Sequence, residues 1–333
     1  MSKRSLASNV LEKLGVLRAL EFFRSKPGIL VVTHHRVGNA DASRFDRAVF
    51  SASPDSFNEQ IRYFKRYLNV VGGEELAALV SGRQKLTRMH VAITFDDGYI
   101  EDYRNSFDIL KSNGCSGSFF LVPEYVGTAM VPWWDEIAYL IRNTKKPRIL
   151  FEYPVPLTVE ITDDRESAIR AVLRHYKRND NHNGELLLRE LREQAECELP
   201  PIERRFVNWD EAREMKAAGM TIGSHTLTHR ILGQLTAEEQ RWEMQQSKRI
   251  IEENIGSSVD SIAYPVGIRG AFDDVTERIA AELGYSTGFS FYGGVNTLER
   301  LRPTNLLRVA TNPDPLLFRA ETMFLSRAGW LPY

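Results

Sequence analysis

The chain has 333 residues, 43% of them hydrophobic and 26% charged, with 43 Lys and Arg against 44 Asp and Glu. This balance describes a folded globular protein, excludes disordered and collagen-like chains, and leaves no global positive field that would draw in nucleic acid. Cys115 and Cys197 lie in unrelated contexts, no long apolar run or secretory leader pattern occurs, and the expected location is therefore cytoplasmic.

In chain order, Leu6, Val10, Leu14, Leu17 and Leu20 recur at helical spacing among Lys3, Arg4, Lys13, Arg18, Arg24 and Lys26. This predicts a basic amphipathic helix. Residues 5–25 can lie peripherally on the inner face of an anionic membrane, although packing onto the protein's own core produces the same pattern and is the commoner outcome. The β-branched run at 29–33 reads as a strand covered on both faces, and it ends in His34-His35-Arg36. Similar runs follow at 91–95, 118–122, 220–223, 261–264 and 306–310, with helical patterns at 54–68, 103–113, 209–218, 237–255 and 273–283. Such alternation implies parallel βαβ units. Residues 127–205 fit it poorly and read as an inserted α+β segment with a small β piece and one or two helices.

Two strand ends carry chemistry. The first, Thr94-Phe95-Asp96-Asp97-Gly98-Tyr99, runs an apolar strand into adjacent carboxylates. Successive side chains alternate along a strand, so two acids take different jobs only if the backbone turns, which Gly98 permits. An acid pair at a helix start is the ordinary alternative. The second, Gly223-Ser224-His225-Thr226-Leu227-Thr228-His229, holds two histidines four residues apart, a spacing that lets both imidazoles reach one metal ion. Together the two ends describe a His-His-Asp site with open coordination positions.

Thr-Phe-Asp-Asp-Gly-Tyr at 94–99 and Ser-His-Thr-Leu-Thr-His at 224–229 resemble the first two motifs of the NodB-type polysaccharide deacetylases, the fourth carbohydrate esterase family. His34-His35-Arg36-Val37, Ala263-Tyr264-Pro265-Val266-Gly267 and the stretch 206–219 are similar to its exopolysaccharide-associated branch. The resemblance covers roughly 28–125 and 206–311. It implies an α/β fold, a distorted (β/α)7 barrel, here split as 28–126 and 206–318; outside the resemblance lie the N-terminal helix at 1–27, read from its periodicity, and a C-terminal tail at 319–333. The resemblance also implies an enzyme that removes acetyl groups from N-acetylated or O-acetylated sugars with one divalent metal ion, zinc being the expected one; the expectation here is a hydrolase of carbon–nitrogen bonds acting on an N-acetylated sugar or polysaccharide precursor. Asp97, His225 and His229 would then be the metal ligands, Asp96 the general base, and the backbone N–H near Val266 part of the oxyanion site.

Two departures stand out. No histidine follows His229 to protonate the leaving amine, and Ala263 stands where many members place an arginine that orients the base. His35, at a strand end, is the candidate acid, with His34 a packing residue; Arg36, Arg269 and Arg308 are all candidates for the arginine. Trp133 and Trp134 can stack on a sugar or anchor the insertion. His90, His175 and His182 read as structural or solvated. The competing functions are deformylation or another amide hydrolysis on a lipid- or nucleotide-linked sugar, and a noncatalytic carbohydrate-binding scaffold on the same barrel.

Overall fold

The computed structural model describes residues 3–23 and 25–329. Helices α1 (Lys3–Lys13) and α2 (Val16–Phe22) open the chain and are separated at Gly15, whose φ of 72° breaks the single helix that the spacing predicts. Both pack on the last helix, and Leu17 is buried. Arg319 from that helix reaches Glu12 and Glu21 at 2.9 and 2.6 Å. The side chains of Lys3, Arg4, Leu6 and Arg24, and residues 330–333 of the expected tail, lie outside the described residues.

Strand β1 (Gly28–His34) is buried throughout. Leu30 and Val32 join the core under the helices, while Ile29 and Val31 pack on the inner side with Ala92, Phe120 and Phe289. That two-sided burial is why the run lacks polar alternation. There follow β2 (Arg36–Val37), β3 (Phe50–Ala52), α3 (Pro54–Tyr67), β4 (Asn69–Val71), α4 (Gly73–Val80) and β5 (Met89–Phe95). The helix predicted over 103–113 begins as a π-helical segment, Asp102–Phe107, and continues as α5 (Asp108–Ser112). After β6 (Ser118–Leu121) come α6 (Trp133–Asn143), the antiparallel pair β7 (Arg148–Phe151) and β8 (Leu157–Glu160), α7 (Arg165–Tyr176) and α8 (Gly184–Ala195). The remaining elements are α9 (Trp209–Ala217), β9 (Thr221–Ser224), α10 (Ala237–Ile255), β10 (Ser261–Ala263), α11 (Asp274–Glu282), β11 (Thr287–Phe289), β12 (Arg308–Ala310) and α12 (Pro315–Ala328). The boundary expected at 318/319 therefore falls inside a helix.

The main sheet runs β11-β10-β9-β6-β5-β1-β12, all parallel, with β4 pairing alongside the first half of β5. A parallel bridge from Phe289 to Leu306 links β11 to the segment entering β12, so the seven strands nearly close. This is the distorted (β/α)7 barrel that the motifs imply. Residues 133–195 build an apolar cluster around Trp133, Trp134, Ile137, Ile141 and Leu191 that also takes in Tyr99, Val122, Tyr125 and Phe206. It is tied to the barrel by polar bonds: Tyr99 and Arg205 both donate to Asp135 Oδ2 (2.9 and 2.6 Å), and Asp135 Oδ1 accepts the Asp46 N–H (2.9 Å). Among the described residues no helix is long and apolar enough to cross a membrane.

Candidate metal and catalytic site

The carboxyl ends of the strands converge on one cavity of about 290 Å³. Chemistry collects at this end of a barrel because each strand delivers its last residues and its loop to the same face. β5 ends in Asp96 and Asp97. The Asp96 N–H still bonds to the His34 carbonyl (3.0 Å), whereas Asp97 turns to a φ of 77° and Gly98 to 72°. A Cβ at Gly98 would lie 2.7 Å from Leu121 Cδ2, so the turn needs glycine for space as well as for φ. This reversal sends the two carboxylates in different directions.

Asp97 meets the histidines. Its Oδ1 lies 3.5 Å from His225 Nε2 and 3.3 Å from His229 Nε2, and all three residues are buried. The two imidazoles face one carboxylate because the loop after β9 coils back, with Thr226 and His229 at φ of 63° and 61°. Among the described residues, four of the five non-glycine positions with positive φ belong to loops of this site, counting Val266 at 63°. Such conformations persist only where the surroundings hold them. Here Glu243 of α10 does so, its carboxylate accepting the N–H groups of Leu227 and Thr228 at 2.9 Å each. Sequence reasoning missed Glu243; a stripe of Gln240, Glu243 and Ser247 on the buried face of α10 was the available signal.

The donor set fits a divalent metal. His225 Nδ1 lies 2.7 Å from the Ala263 carbonyl, which as acceptor fixes Nδ1 as the protonated nitrogen and leaves the Nε2 lone pair facing Asp97. Asp97 Oδ1 is fully buried and accepts no hydrogen bond. Such an orphaned carboxylate oxygen between two imidazole nitrogens is costly unless a cation completes it. Two nitrogens and one oxygen are the ligand types of an open zinc site. The electrostatics agree. Burial pushes the Asp97 carboxyl up, but the two imidazoles facing it outweigh burial and hold the group well below the usual carboxylate range. Burial pushes both histidines down. Asp96 and Asp97 more than reverse this at His225, whereas His229 stays lowered.

Asp96 faces Arg308. Its two oxygens accept from Arg308 Nη1 and Nη2 at 2.7 and 2.8 Å, a bidentate pair between fully buried groups. Arg308 enters from β12, is held by the Ser290 carbonyl and the Thr33 hydroxyl, and lies 212 residues from its partner. Burial raises the Asp96 carboxyl, but the guanidinium outweighs it and keeps the pKa lowered. Of the three candidate arginines, Arg308 is thus the one that pairs with Asp96. Arg36 is paired with Glu101, and Arg269 lies over the Tyr292 ring.

His35 lines the cavity, its backbone N–H donating to the Ser51 hydroxyl (3.1 Å). His34 is turned away, packed between Phe57 and Phe95 and within hydrogen-bonding reach of Gln60 and Thr311. Val266 also lines the cavity, and its N–H donates to no acceptor among the described residues. Trp134 forms part of the wall, with its ring centroid 4.5 Å from that of His229 and its indole N–H donating to Tyr99 Oη (2.8 Å). Asp46, Leu173, Lys177 and Phe291 also line the cavity and were not singled out from the sequence.

Comparison with known proteins places this geometry. The model of the polysaccharide deacetylase family matches residues 83–288. Among solved structures, the chain is similar to the deacetylase PplD of Streptococcus pyogenes, determined in complex with acetate, at 19% identity and a TM-score of 0.56 over 90% of this chain and 99% of that one. It is also similar to IcaB from Ammonifex degensii, at 19% identity and a TM-score of 0.58 over 90% and 98%. The curated relative YxkH of Bacillus subtilis is 19% identical over 264 residues, 79% of this chain but 64% of the relative, so the chain spans under two thirds of that protein's length.

Proposed function

Because this chain belongs to the polysaccharide deacetylase family, we propose that it is a metal-dependent hydrolase removing N-linked acetyl groups from a sugar in cell-surface polysaccharide biosynthesis. One observation carries the reading: a single cavity joins the Asp97, His225 and His229 ligand atoms to an Asp96 carboxylate clamped by Arg308.

A divalent cation on Asp97, His225 and His229, with zinc suited to that donor set, supplies Lewis acidity toward the acetyl carbonyl. Asp97 is then the ligand carboxylate, and Asp96 remains free for protons. Kept ionised by Arg308, Asp96 takes a proton from the attacking water as its oxygen bonds to the acetyl carbon. The Val266 N–H is available to the developing oxyanion. His35 donates the proton that the leaving amine needs when the carbon–nitrogen bond breaks, giving acetate and a free amine. Arg308 takes the orienting role vacated at Ala263, which removes one of the two grounds for a noncatalytic scaffold.

The segment 127–205 acts as an insertion that walls the cavity. The outward face of the first two helices, with Leu14, Phe22 and Phe23 exposed beside Lys13, Arg18 and Lys26, supports peripheral contact with an anionic membrane at its cytoplasmic face. The whole reading is tested by acetate release from N-acetylated glycans: metal-loaded protein should release it, and Asp96→Asn should abolish release while retaining fold and metal. Turnover by Asp96→Asn at the wild-type rate contradicts it.

A further inference from the structure

Among the described residues, two side chains that are cationic at neutral pH line the cavity, Arg308 and Lys177, and Arg308 is paired with Asp96. Lys177 lines the same cavity and has neither an ion pair nor a hydrogen bond from its ammonium among the described residues. It caps the C-terminus of α7. A lysine there ordinarily lies over the last carbonyls or extends into water, where the helix dipole favours its charge. Instead Nζ lies 5.6 Å from the centre of the Trp133 ring, on the cavity wall. Asp46, an acidic residue of the same cavity wall, does not pair with it. That carboxylate accepts the Ala48 N–H (2.9 Å), and burial with the neighbouring Asp135 raises its carboxyl toward the neutral form. Burial likewise pushes Lys177 down, with Asp46 and Asp97 opposing.

Lys177 is half-buried, and an ammonium that faces a cavity without a counterion there is open to charge-assisted pairing with an anion bound beside it. We propose that Lys177 is a specificity-determining residue, taking an anionic substituent, a carboxylate or a phosphate, carried by the sugar whose acyl group reaches Asp96. The inference rests on the reading of the cavity as a deacetylation site. The volume sharpens it. At about 290 Å³ the cavity is at the small end of ligand sites. The anion that meets Lys177 is therefore on the acylated sugar itself or on its immediate linkage. Because the lysine comes from the inserted segment, the insertion, and not the barrel, sets this preference.

The test is calorimetric binding and acetate release with three probes: methyl N-acetylglucosaminide, N-acetylglucosamine 1-phosphate and 2-acetamido-2-deoxyglucuronate. The wild-type protein should bind one of the two anionic probes about tenfold or more tighter than the neutral one, the size expected of one charge-assisted bond. Which anionic probe wins tells phosphate from carboxylate. Lys177→Met and Lys177→Gln should lose the preference, and Lys177→Arg should keep it. Equal binding of all three by the wild type overturns the proposal, as does a preference that survives in Lys177→Met. A fall in kcat in Lys177→Met with unchanged binding of every probe also overturns it. Acetate release without anion preference contradicts only the Lys177 inference, whereas Lys177-dependent anion binding without acetate release contradicts the deacetylase reading instead.

Discussion

Arg308 and Asp96 pair through two parallel hydrogen bonds inside a buried site, so fork geometry matters there as well as charge. Arg308→Lys keeps the charge and loses the fork. Acetate release should fall by about 10- to 100-fold, with metal content unchanged because Arg308 touches none of the three ligands. Unchanged kcat would show that the clamp does not orient the base. The residues proposed as ligands were legible in the sequence because each motif is contiguous: Asp96-Asp97-Gly98 and the histidine pair announce themselves by spacing. Arg308 was not singled out because its partner is 212 residues away, and nothing local separates it from Arg36 or Arg269. Lys177 and Asp46 escaped for the same reason, each being an ordinary charged residue until the fold turns it inward.

The strand ends impose conditions on their elements. The turn leaving β5 requires Gly98 at φ 72°, so Gly98→Ala should cost about 2 kcal/mol and displace Leu121, measured by denaturant unfolding. At the end of β1, burial between Phe57 and Phe95 pushes His34 down to about 4. A histidine depressed in the folded state takes up its proton first in the unfolded chain. Its contribution to stability is therefore complete above about 6.5 and is lost as pH falls toward about 4, roughly 3 kcal/mol in all. In His34→Gln that part of the acid sensitivity should vanish, and an identical pH slope in the variant would refute the assignment. The long strands β1 and β5 were readable because burial on both faces leaves an unbroken apolar run. β4 and β11 were not, being three residues each, the latter with a glycine in the middle. α6 was hidden because Trp133 and Trp134 were weighed only as sugar-stacking or anchoring side chains, whereas with Ile137, Leu140 and Ile141 they form the buried face of a helix. The π-helical start of the following segment after β5 leaves no mark on side-chain spacing that distinguishes it from an α-helix.

At the scale of the whole molecule, the barrel supplies the chemistry, the inserted segment a wall of the cavity, and the first two helices an exposed apolar face. That face, with Phe22 and Phe23 at 91% and 66% exposure, has a direct test. The protein should co-sediment with phosphatidylglycerol vesicles at low salt and not with neutral ones, and Phe22→Ser with Phe23→Ser should abolish it; equal sedimentation by the double variant would exclude these residues as the anchor. The membrane contact and the self-packing that share this pattern are compatible, since Leu17 points inward while the phenylalanines point out. The proposed chemistry depends on two loops remote in sequence meeting around one cation. The most direct measurement is the metal content of the purified protein beside that of Asp97→Ala and His225→Ala. The account predicts about one divalent ion per wild-type chain and its loss from both folded variants; full occupancy in either variant would contradict it.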